Sequence, residues 1–292
     1  YTDHLFENVN GHFIDITKKA DVTNYDYGLS VMIGDLSNDG YPDIYVANDF
    51  DNPDILFLNN QDGTFKDITS ISLKHMSTFS MGGDIADMND DGWLDLMVMD
   101  MVAEDHYRNK TNMSGMNPKK FWDLVKHGYQ YQYMYNSFQL NQGNGLFSEI
   151  ALMSGVSNTD WSWTTLLSDF NNDGKKDAFI TNGLLRDVRN KDFNTKWLEK
   201  LGGDMTKMSP ENAKKGSILE MIKMAPSYKI KNYMYSNSGD LQFNNVTDSW
   251  NVNQLSFSQG ASNADLDNDG DLDLIVNNMN DLVFVYRKKT SD

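Results

Sequence analysis

The chain lacks several features that would indicate a particular chemistry or location. It has no cysteine in 292 residues, so disulfides and thiolate metal sites are excluded. No segment approaches the roughly 18 consecutive apolar residues of a membrane-spanning helix, and the opening residues Tyr1, Thr2 and Asp3 do not resemble a signal peptide. We therefore expect any export signal or lipid anchor to lie outside this sequence.

Clustered basic residues and ligand-spaced histidines are also missing. Lys and Arg number 25 against 42 Asp and Glu, and no basic stripe is present, so nucleic acid is not an expected partner. The histidines are scattered without a metal-ligand spacing, which gives no support to a zinc or nucleophilic site. These five histidines are His4, His12, His75, His106 and His127. A pair of catalytic carboxylates could assemble in space, but the sequence does not indicate one.

What the sequence does contain is one acidic loop in four copies, at 35–43, 87–95, 169–177 and 265–273, each of the form D-x-[DNS]-x-D-G-x-x-D. Oxygen side chains at positions 1, 3, 5 and 9, a turn-forming glycine at 6 and the carbonyl of residue 7 suit a hard cation of flexible coordination. We predict about four Ca²⁺ ions, held by Asp35, Ser37, Asp39, Tyr41 and Asp43; by Asp87, Asn89, Asp91, Trp93 and Asp95; by Asp169, Asn171, Asp173, Lys175 and Asp177; and by Asp265, Asp267, Asp269, Asp271 and Asp273.

These loops differ from the EF-hand, which ends in a bidentate Glu at position 12. Position 12 is here Val46, Val98, Ile180 or Val276, and each loop continues into a β-type segment. The metal is therefore expected to stabilise the turn of a β-hairpin. Asn-Asp-Gly is also ordinary turn chemistry, but four copies in matching contexts favour metal binding.

Ligand charge predicts a ranking of the sites. Ser37 makes the first loop the weakest, and the four aspartates at positions 1, 3, 5 and 9 make the fourth the tightest. The same ligand positions hold thirteen of the 42 acidic residues, and four Ca²⁺ would bring the formal charge from −17 to −9.

A second hairpin recurs in step with the loops, so each repeat has four strands, A to D. Strand A enters the loop, B leaves it, and C and D form the second hairpin. Four antiparallel strands repeated radially make an all-β fold, the β-propeller. We predict strand A at about 29–35, 80–87, 163–169 and 259–265 and strand B at about 43–48, 95–100, 177–182 and 273–278.

The predicted organisation is a partial blade at 1–28, full blades at 29–79, 80–162 and 163–258, and a partial blade at 259–292. Successive loops start 52, 82 and 96 residues apart, which places insertions at 101–135 and 183–231, both between strands B and C. The first is predicted to hold a helix opening at Asn117 and Pro118. The second is predicted to hold one helix ending at Gly202 and Gly203 and another running from Ser209 and Pro210 to Pro226.

These residues resemble the FG-GAP/VCBS repeat family, the calcium-binding propeller repeats of integrin α subunits and of many secreted or surface bacterial proteins. The segments 81–87, 96–108 and 160–163 look like large outer-membrane-associated VCBS proteins of Bacteroidetes. The resemblance implies a calcium-stabilised propeller outside the cytosol. Residues 4–16 are read as strands C and D, and 282–286 as a second strand C, which further suggests an arc of a larger propeller within a longer chain.

The insertions supply the candidate binding residues. In a four-stranded blade the B–C connection leaves the rim opposite the A–B loops, so both insertions are expected on one surface, formed by Trp122, Arg186, Arg189 and Trp197. Tyr129, Tyr131, Tyr133 and Tyr135 are compatible with sugar stacking or protein docking, and their period of two also suits a strand that buries one face. Trp161 and Trp163 are expected to pack between blades.

The expected function is a binding or scaffolding module of a bacterial cell-surface assembly, such as a glycan-uptake or outer-membrane complex, with a protein or glycan partner on that rim. Fold alone does not give the ligand. One alternative is a carbohydrate-active enzyme, a polysaccharide lyase or hydrolase built on a calcium propeller. Another is a purely structural subunit whose insertions are buried against a second chain.

Overall fold

A computed structural model describes residues 2–50, 52–112, 117–200 and 215–288. This part of the chain is mostly β-strand, and its helices lie mainly in the two insertions. In chain order the elements are β1 (Phe6–Val9), β2 (His12–Asp15), β3 (Gly28–Gly34), β4 (Asp43–Asn48), β5 (Ile55–Asn59), β6 (Phe65–Asp67), α1 (Thr69–Ser72), β7 (His75–Ser77), β8 (Gly83–Ala86), β9 (Asp95–Val98), β10 (Met101–Val102), α2 (His106–Thr111), α3 (Pro118–Lys126), β11 (Tyr131–Tyr133), β12 (Ser137–Asn141), β13 (Phe147–Glu149), α4 (Ala151–Ser154), β14 (Asp160–Ser168), β15 (Asp177–Asn182), α5 (Lys191–Lys200), α6 (Lys215–Met224), β16 (Tyr233–Asn237), β17 (Phe243–Asn245), β18 (Ser258–Ala264), β19 (Asp273–Asn278) and β20 (Phe284–Tyr286).

Three antiparallel sheets follow the predicted order A-B-C-D, and a fourth follows it from A to C within the described residues. The first repeat sheet is β3-β4-β5-β6 and the second is β8-β9-β12-β13. The third is β14-β15-β16-β17, and β10 pairs with the edge of β14 that faces away from β15. The fourth contains β18-β19-β20, and β1 pairs with β2 in a separate N-terminal hairpin. Each acidic loop therefore connects strands A and B of one sheet.

Strand B begins at the predicted residue in every sheet, whereas strand A begins one residue early in the first and fourth sheets and differs more in the other two. In the second sheet β8 begins at Gly83 rather than 80, although Met81 N–H still donates to the Met99 carbonyl at 2.9 Å. In the third sheet β14 begins at Asp160 rather than 163, because a register shift between Ser162 and Thr165 carries the pairing further back. Bulges of this kind leave no periodic signal in the sequence.

The sheets meet through their A strands, since β3, β8, β14 and β18 contact one another in chain order. Leu167 N–H donates to Asp84 Oδ2 at 2.8 Å across one of these contacts. The approach is close enough that a Cβ on Gly82 would lie 2.1 Å from the Trp163 carbonyl oxygen. This explains the glycine at position 82, since a side chain there would separate the two sheets.

The apolar core lies between neighbouring sheets. One buried cluster, which includes Leu56, Leu73 and Leu96, joins the first and second sheets. Another joins the second and third and contains Trp161, with Trp163 packed against it. Packing rather than ligand contact therefore accounts for these two tryptophans, as expected from the sequence.

The insertions contain the predicted helices. Asn117 caps α3, its side chain accepting the Lys120 N–H at 3.2 Å, and Pro118 occupies the first turn. In the second insertion α5 and α6 match two predicted helices, and α6 ends at Met224, just before Pro226. The predicted boundaries at Gly202, Gly203, Ser209 and Pro210 lie outside the described residues.

Two further features were not predicted. Single-turn helices α1 and α4 follow strands D of the first two sheets. Strand β11 has the period expected for the tyrosines at 131 and 133, but it pairs in parallel with β7 rather than joining a repeat sheet. Within the described ranges, no helix combines the length and apolar character needed to cross a membrane.

Candidate metal-binding loops and the opposite rim

All four acidic loops have the same backbone conformation. The residue at position 4 has a positive φ in every copy, 55° at Asn38, 59° at Asp90, 62° at Asn172 and 60° at Asn268. The glycine at position 6 also has a positive φ, between 86° and 92°. Asn, Asp and Gly tolerate this region far better than other residues, which explains why only they occupy these positions. The loops are therefore four copies of one structure as well as of one sequence.

The carboxylate at position 1 organises each loop. In the first loop Asp39 N–H donates to Asp35 Oδ1 at 3.0 Å, and Gly40 N–H donates to Asp35 Oδ2 at 2.8 Å. The same pair of bonds recurs on Asp87, Asp169 and Asp265. Because each carboxylate oxygen can accept more than one bond, these contacts orient the side chain and leave it able to ligate a cation.

The carboxylate at position 9 is buried and ties the loop to strand C. Asp95 Oδ2 accepts the Met88 N–H at 2.9 Å, and its Oδ1 accepts the Asn141 N–H at 2.8 Å. The equivalent aspartate of each other loop makes the same two types of contact. Burial raises the pKa of Asp95 to about 7 and that of Asp177 to about 6. A bound cation would oppose this effect by favouring the ionised form.

The fourth loop brings three carboxylates closest together. Ligand oxygens of Asp265, Asp267 and Asp269 lie within 4.8 Å of one another. The Arg287 guanidinium pairs with Asp267 and lies 3.7 Å from Asp269. The Arg287 side chain would therefore compete with a metal ion for this site. Sequence spacing could not reveal this contact, which opposes the prediction that the fourth loop binds calcium most tightly.

The neutral side chains at position 3, predicted as ligands, lie beside the same carboxylates. Asn89 Nδ2 donates to Asp91 Oδ2 at 2.9 Å, and Asn171 makes the equivalent contact with Asp173. The buried Ser37 hydroxyl lies near Asp39 and Asp43 but completes no hydrogen bond of good geometry with a described residue. The donor set is thus carboxylate, amide, hydroxyl and carbonyl oxygen, which fits Ca²⁺ rather than a softer metal.

The A–B and C–D turns share one rim. Gln61 Nε2 donates to Asp39 Oδ2 at 3.0 Å, and Asn59 Nδ2 donates to the Pro42 carbonyl at 2.9 Å. The strand ends that carry the insertions therefore lie on the opposite rim, which we call the insertion rim. The residues predicted to contact a partner lie in the two insertions and therefore on this rim.

An ion pair that sequence reasoning missed anchors the insertion rim. Arg108, at the start of the first insertion, donates from Nε and Nη2 to Asp160 at 2.5 and 2.7 Å, and its guanidinium lies 5.9 Å from the centre of the Tyr228 ring. Asp160 is 5% exposed and has φ +77°, a strained value outside glycine. The bidentate pair holds that backbone conformation in place.

A buried carboxylate lies beside this pair. Asp187 is 3% exposed, and neither of its side-chain oxygens completes a hydrogen bond of good geometry with a described residue. Burial raises the pKa of Asp187, and the nearby Arg108 and Asn190 oppose that effect. The segments that contain Arg108 and Asp160 were singled out from the sequence, but not their pairing or Asp187, since residues 52 and 79 positions from Arg108 carry no local signal of contact.

The two insertions meet next to these charges. Tyr107 Oη donates to Asp192 Oδ2 at 3.4 Å, and Lys191 Nζ donates to the Lys110 carbonyl at 3.0 Å. A cavity of about 340 Å³ lies at this junction, walled by rings of both insertions and by charged groups; its lining includes Tyr107, Asp192, Phe193, Lys196, Trp197 and Tyr228.

The predicted partner residues are not equivalent in the structure. Trp122 is 54% exposed and Arg189 is exposed, so both are available on the surface. Arg186 is half-buried and donates to the Ala225 carbonyl at 3.4 Å. Trp197 is only 5% exposed, because it packs with Phe193 in the small core of the second insertion. Trp197 was predicted to contact a partner at the surface. The structure corrects this, since Trp197 is buried and forms part of the cavity wall.

The aromatics of the first insertion form a stacked group. Phe121 stacks on Tyr131 at 6.0 Å and contacts the ring of Tyr133 at 5.5 Å, and Tyr133 stacks on Tyr135 at 5.8 Å. Tyr135 Oη is hydrogen-bonded to His75 Nδ1 at 3.0 Å. These contacts dock α3 onto β11, which favours packing over ligand contact for the inner tyrosines and leaves Trp122 at the exposed end.

Comparison with known proteins supports the repeat assignment over part of the chain. Residues 35–98, which contain the first two acidic loops, match the family model described as FG-GAP-like repeat. No curated protein matches the chain. The match supports the FG-GAP/VCBS repeat family for this segment, and the third and fourth loops reproduce its backbone conformation.

Proposed function

We propose that the chain is an extracellular, calcium-stabilised β-propeller segment that acts as a binding or scaffolding module in a bacterial cell-surface assembly. The observation that carries this proposal is the division between rims. Four loops with oxygen donors occupy one rim, and two insertions with an aromatic cavity occupy the other. The contacts between successive A strands support the radial arrangement.

Calcium has a structural role in this proposal. Each ion would be held by the side chains at positions 1, 3, 5 and 9 and the carbonyl at position 7, and it would neutralise carboxylates that otherwise repel one another. Loops of this kind remain occupied where calcium is abundant, which supports an extracellular setting. The resemblance to outer-membrane-associated VCBS proteins of Bacteroidetes supports a bacterial surface and a glycan or protein partner.

Thermal unfolding with added CaCl₂ or with excess EDTA tests the metal assignment. A ligand at about 100 times its dissociation constant stabilises by about 2.7 kcal/mol per site, so the melting temperature should rise with calcium. Asp269→Ala should reduce this rise, whereas Asp62→Asn, in a C–D turn outside the loops, should not. Equal melting of the parent protein in CaCl₂ and in EDTA would refute the calcium proposal.

Binding of soluble neutral and acidic oligosaccharides tests the role of the insertion rim. Tyr107→Ala should weaken binding, because the Tyr107 ring lines the cavity, while Leu152→Ala removes an exposed apolar side chain elsewhere and should have no effect. Cleavage products in the same assay would favour the enzyme alternative. Lack of oligosaccharide binding, together with protection of the insertions by a co-purifying protein, would favour a structural subunit.

A further inference from the structure

The two insertions differ in charge from the rest of the chain. Residues 101–135 and 183–231 contain 16 of the 25 Lys and Arg residues but only 9 of the 42 Asp and Glu residues. Their formal charge is therefore +7, whereas the remainder of the chain carries −24. Because both insertions leave the sheets at the insertion rim, strand topology brings together basic residues that are spread along the sequence. The sequence by itself shows no basic stripe for this reason.

Basic side chains are prominent on the exposed surface of the described parts of the insertions. Examples from both insertions are Lys110, Lys119, Lys126, Arg189 and Lys223. Several acidic side chains are instead engaged within the protein. Asp187 is 3% exposed, the Glu104 carboxylate accepts the Tyr233 hydroxyl at 2.8 Å, and Asp105 caps α2 by accepting the Arg108 N–H at 2.9 Å. The insertion rim is therefore a positively charged surface on an otherwise acidic protein.

Helix α3 of the first insertion adds an aromatic side chain to this charge. Lys119, Trp122 and Lys126 lie on one face of the helix, since they are three and four residues apart. All three are exposed, Trp122 to 54%, and Asp123 shares their face. Phe121, on another face, packs on the tyrosines of the insertion. The helix is thus attached to the protein through Phe121 and displays a tryptophan between two lysines.

Helix α6 of the second insertion exposes aliphatic side chains beside a base. Four of its apolar residues are between 39% and 55% exposed: Ile218, Leu219, Ile222 and Met224. Lys223 is exposed next to them. Met221 packs in the small core of the insertion, as does Ala225 just after the helix, so this segment is attached to the protein on one side. A group of exposed aliphatic side chains on one short helix indicates an interaction surface.

These groups come from several segments that share one surface. Tyr107 contacts Asp192 and Lys191 contacts the Lys110 carbonyl, which places the two insertions side by side. Tyr107 is 59% exposed and Tyr228 is 48% exposed at the junction. A groove in a partner protein takes up a single amphipathic helix, whereas a lipid surface contacts every segment on a rim. A soluble acidic polysaccharide would pair with the lysines but would leave the aliphatic side chains of α6 in water.

We propose that the insertion rim lies against a lipid bilayer with anionic headgroups, with Trp122 in the headgroup layer and Lys119 and Lys126 paired with headgroup phosphates. Tryptophan favours the boundary between hydrocarbon and water, and lysines near a negative lipid surface are attracted to it. The inference rests on the proposed role of the insertion rim as the binding surface, and it adds a lipid surface to the protein or glycan partner. The acidic loops, on the opposite rim, face away from the bilayer.

Co-sedimentation of the full chain with vesicles, with CaCl₂ present throughout, tests the proposal. The protein should bind vesicles of equal parts phosphatidylcholine and phosphatidylglycerol more strongly than vesicles of phosphatidylcholine alone, and added NaCl should weaken the binding. Lys119→Gln/Lys126→Gln should weaken it about 25-fold, because each lysine near an anionic surface contributes about fivefold. Lys66→Gln/Lys176→Gln removes the same charge from β6 and the third acidic loop and should have little effect.

Quenching of tryptophan fluorescence by brominated phosphatidylcholine in the anionic vesicles provides the second measurement. Part of the emission should be quenched in the parent, and Trp122→Phe should lose that part. Absence of binding to anionic vesicles would overturn the proposal. Equal binding by Lys119→Gln/Lys126→Gln and the parent would also overturn it, since calcium would then bridge the acidic loops to the lipid. Binding to soluble heparin without any lipid quenching would overturn it in favour of an acidic polysaccharide.

The vesicle assay contains no oligosaccharide and uses variants of α3, whereas the oligosaccharide assay of the proposed function uses a variant of the cavity. Failure of the lipid proposal is therefore distinguishable from failure of the proposed function.

Discussion

Asp54 offers a direct test of the buried polar contacts in the structure. Its carboxylate is fully buried at the start of strand C and accepts hydrogen bonds from Asn48 N–H at 2.8 Å, Tyr45 Oη at 2.7 Å and Ser80 Oγ at 2.9 Å. At the equivalent position the third sheet has Asn232, whose Oδ1 accepts the Asn182 N–H at 2.8 Å. The repeats thus provide an amide replacement for this carboxylate, Asp54→Asn.

The magnitude follows from the pKa of Asp54, which burial raises from 3.8 to about 6. A shift of roughly two units corresponds to about 3 kcal/mol. Because the folded state holds this proton more tightly than the unfolded chain, the group contributes its full stability below about pH 4 and loses it as the pH rises through about 6. Asp54→Asn removes that dependence, so its stability relative to the parent should increase by about 3 kcal/mol between about pH 4 and about pH 8.

Urea unfolding of both proteins in excess chelator measures this difference at each pH, and the acidic loops contribute equally to both. The reverse variant, Asn232→Asp, should become less stable relative to the parent as the pH rises. Asp62→Asn is the exposed control. Because hydrogen bonds from Thr64 lower the pKa of Asp62, the stability of this variant relative to the parent should decrease as the pH rises. If the difference between Asp54→Asn and the parent is constant with pH, or is largest in acid, the reasoning is refuted.

Two further predictions concern the charged groups on the two rims. Arg287→Gln should tighten calcium binding at the fourth loop, since the guanidinium pairs with Asp267, and calorimetric titration with CaCl₂ that shows equal or weaker affinity would contradict this. Arg108→Ala should lower the free energy of unfolding by about 3–5 kcal/mol, because it leaves the buried Asp160 carboxylate unpaired. Lys231→Ala, in an exposed pair, should cost under about 1 kcal/mol in the same urea experiment, and equal effects would show that Arg108 is not a buried partner.

Features set by local chemistry were predictable from the sequence. The four loops, the hairpins they close and the capped helix at Asn117 each depend on a few neighbouring residues with special backbone needs, and these left a clear pattern. Strand B could be placed to the residue because it starts at the last aspartate of each loop. The start of strand A was less certain, because its glycines and bulges are determined by packing against the neighbouring sheet and not by a period within the strand.

Contacts between distant segments were not predictable. Arg108 and Asp160 are 52 positions apart, and nothing in either local sequence indicates that they pair. Trp197 was expected on the surface because its helix lies in an insertion, yet the insertion is large enough to have a small core of its own. The roles of individual side chains in the insertions therefore required the structure, whereas the rim on which they lie followed from strand order alone.

The position-9 aspartates link the acidic loops to the rest of the sheet. Each one accepts an N–H from its own loop and, in the first three sheets, a second N–H from the last residue of strand C. A cation that holds this carboxylate ionised and oriented therefore stabilises the junction between strands B and C as well as the turn. By linkage, an interaction with strand C that is stronger in the calcium-bound state raises calcium affinity by that same coupling free energy.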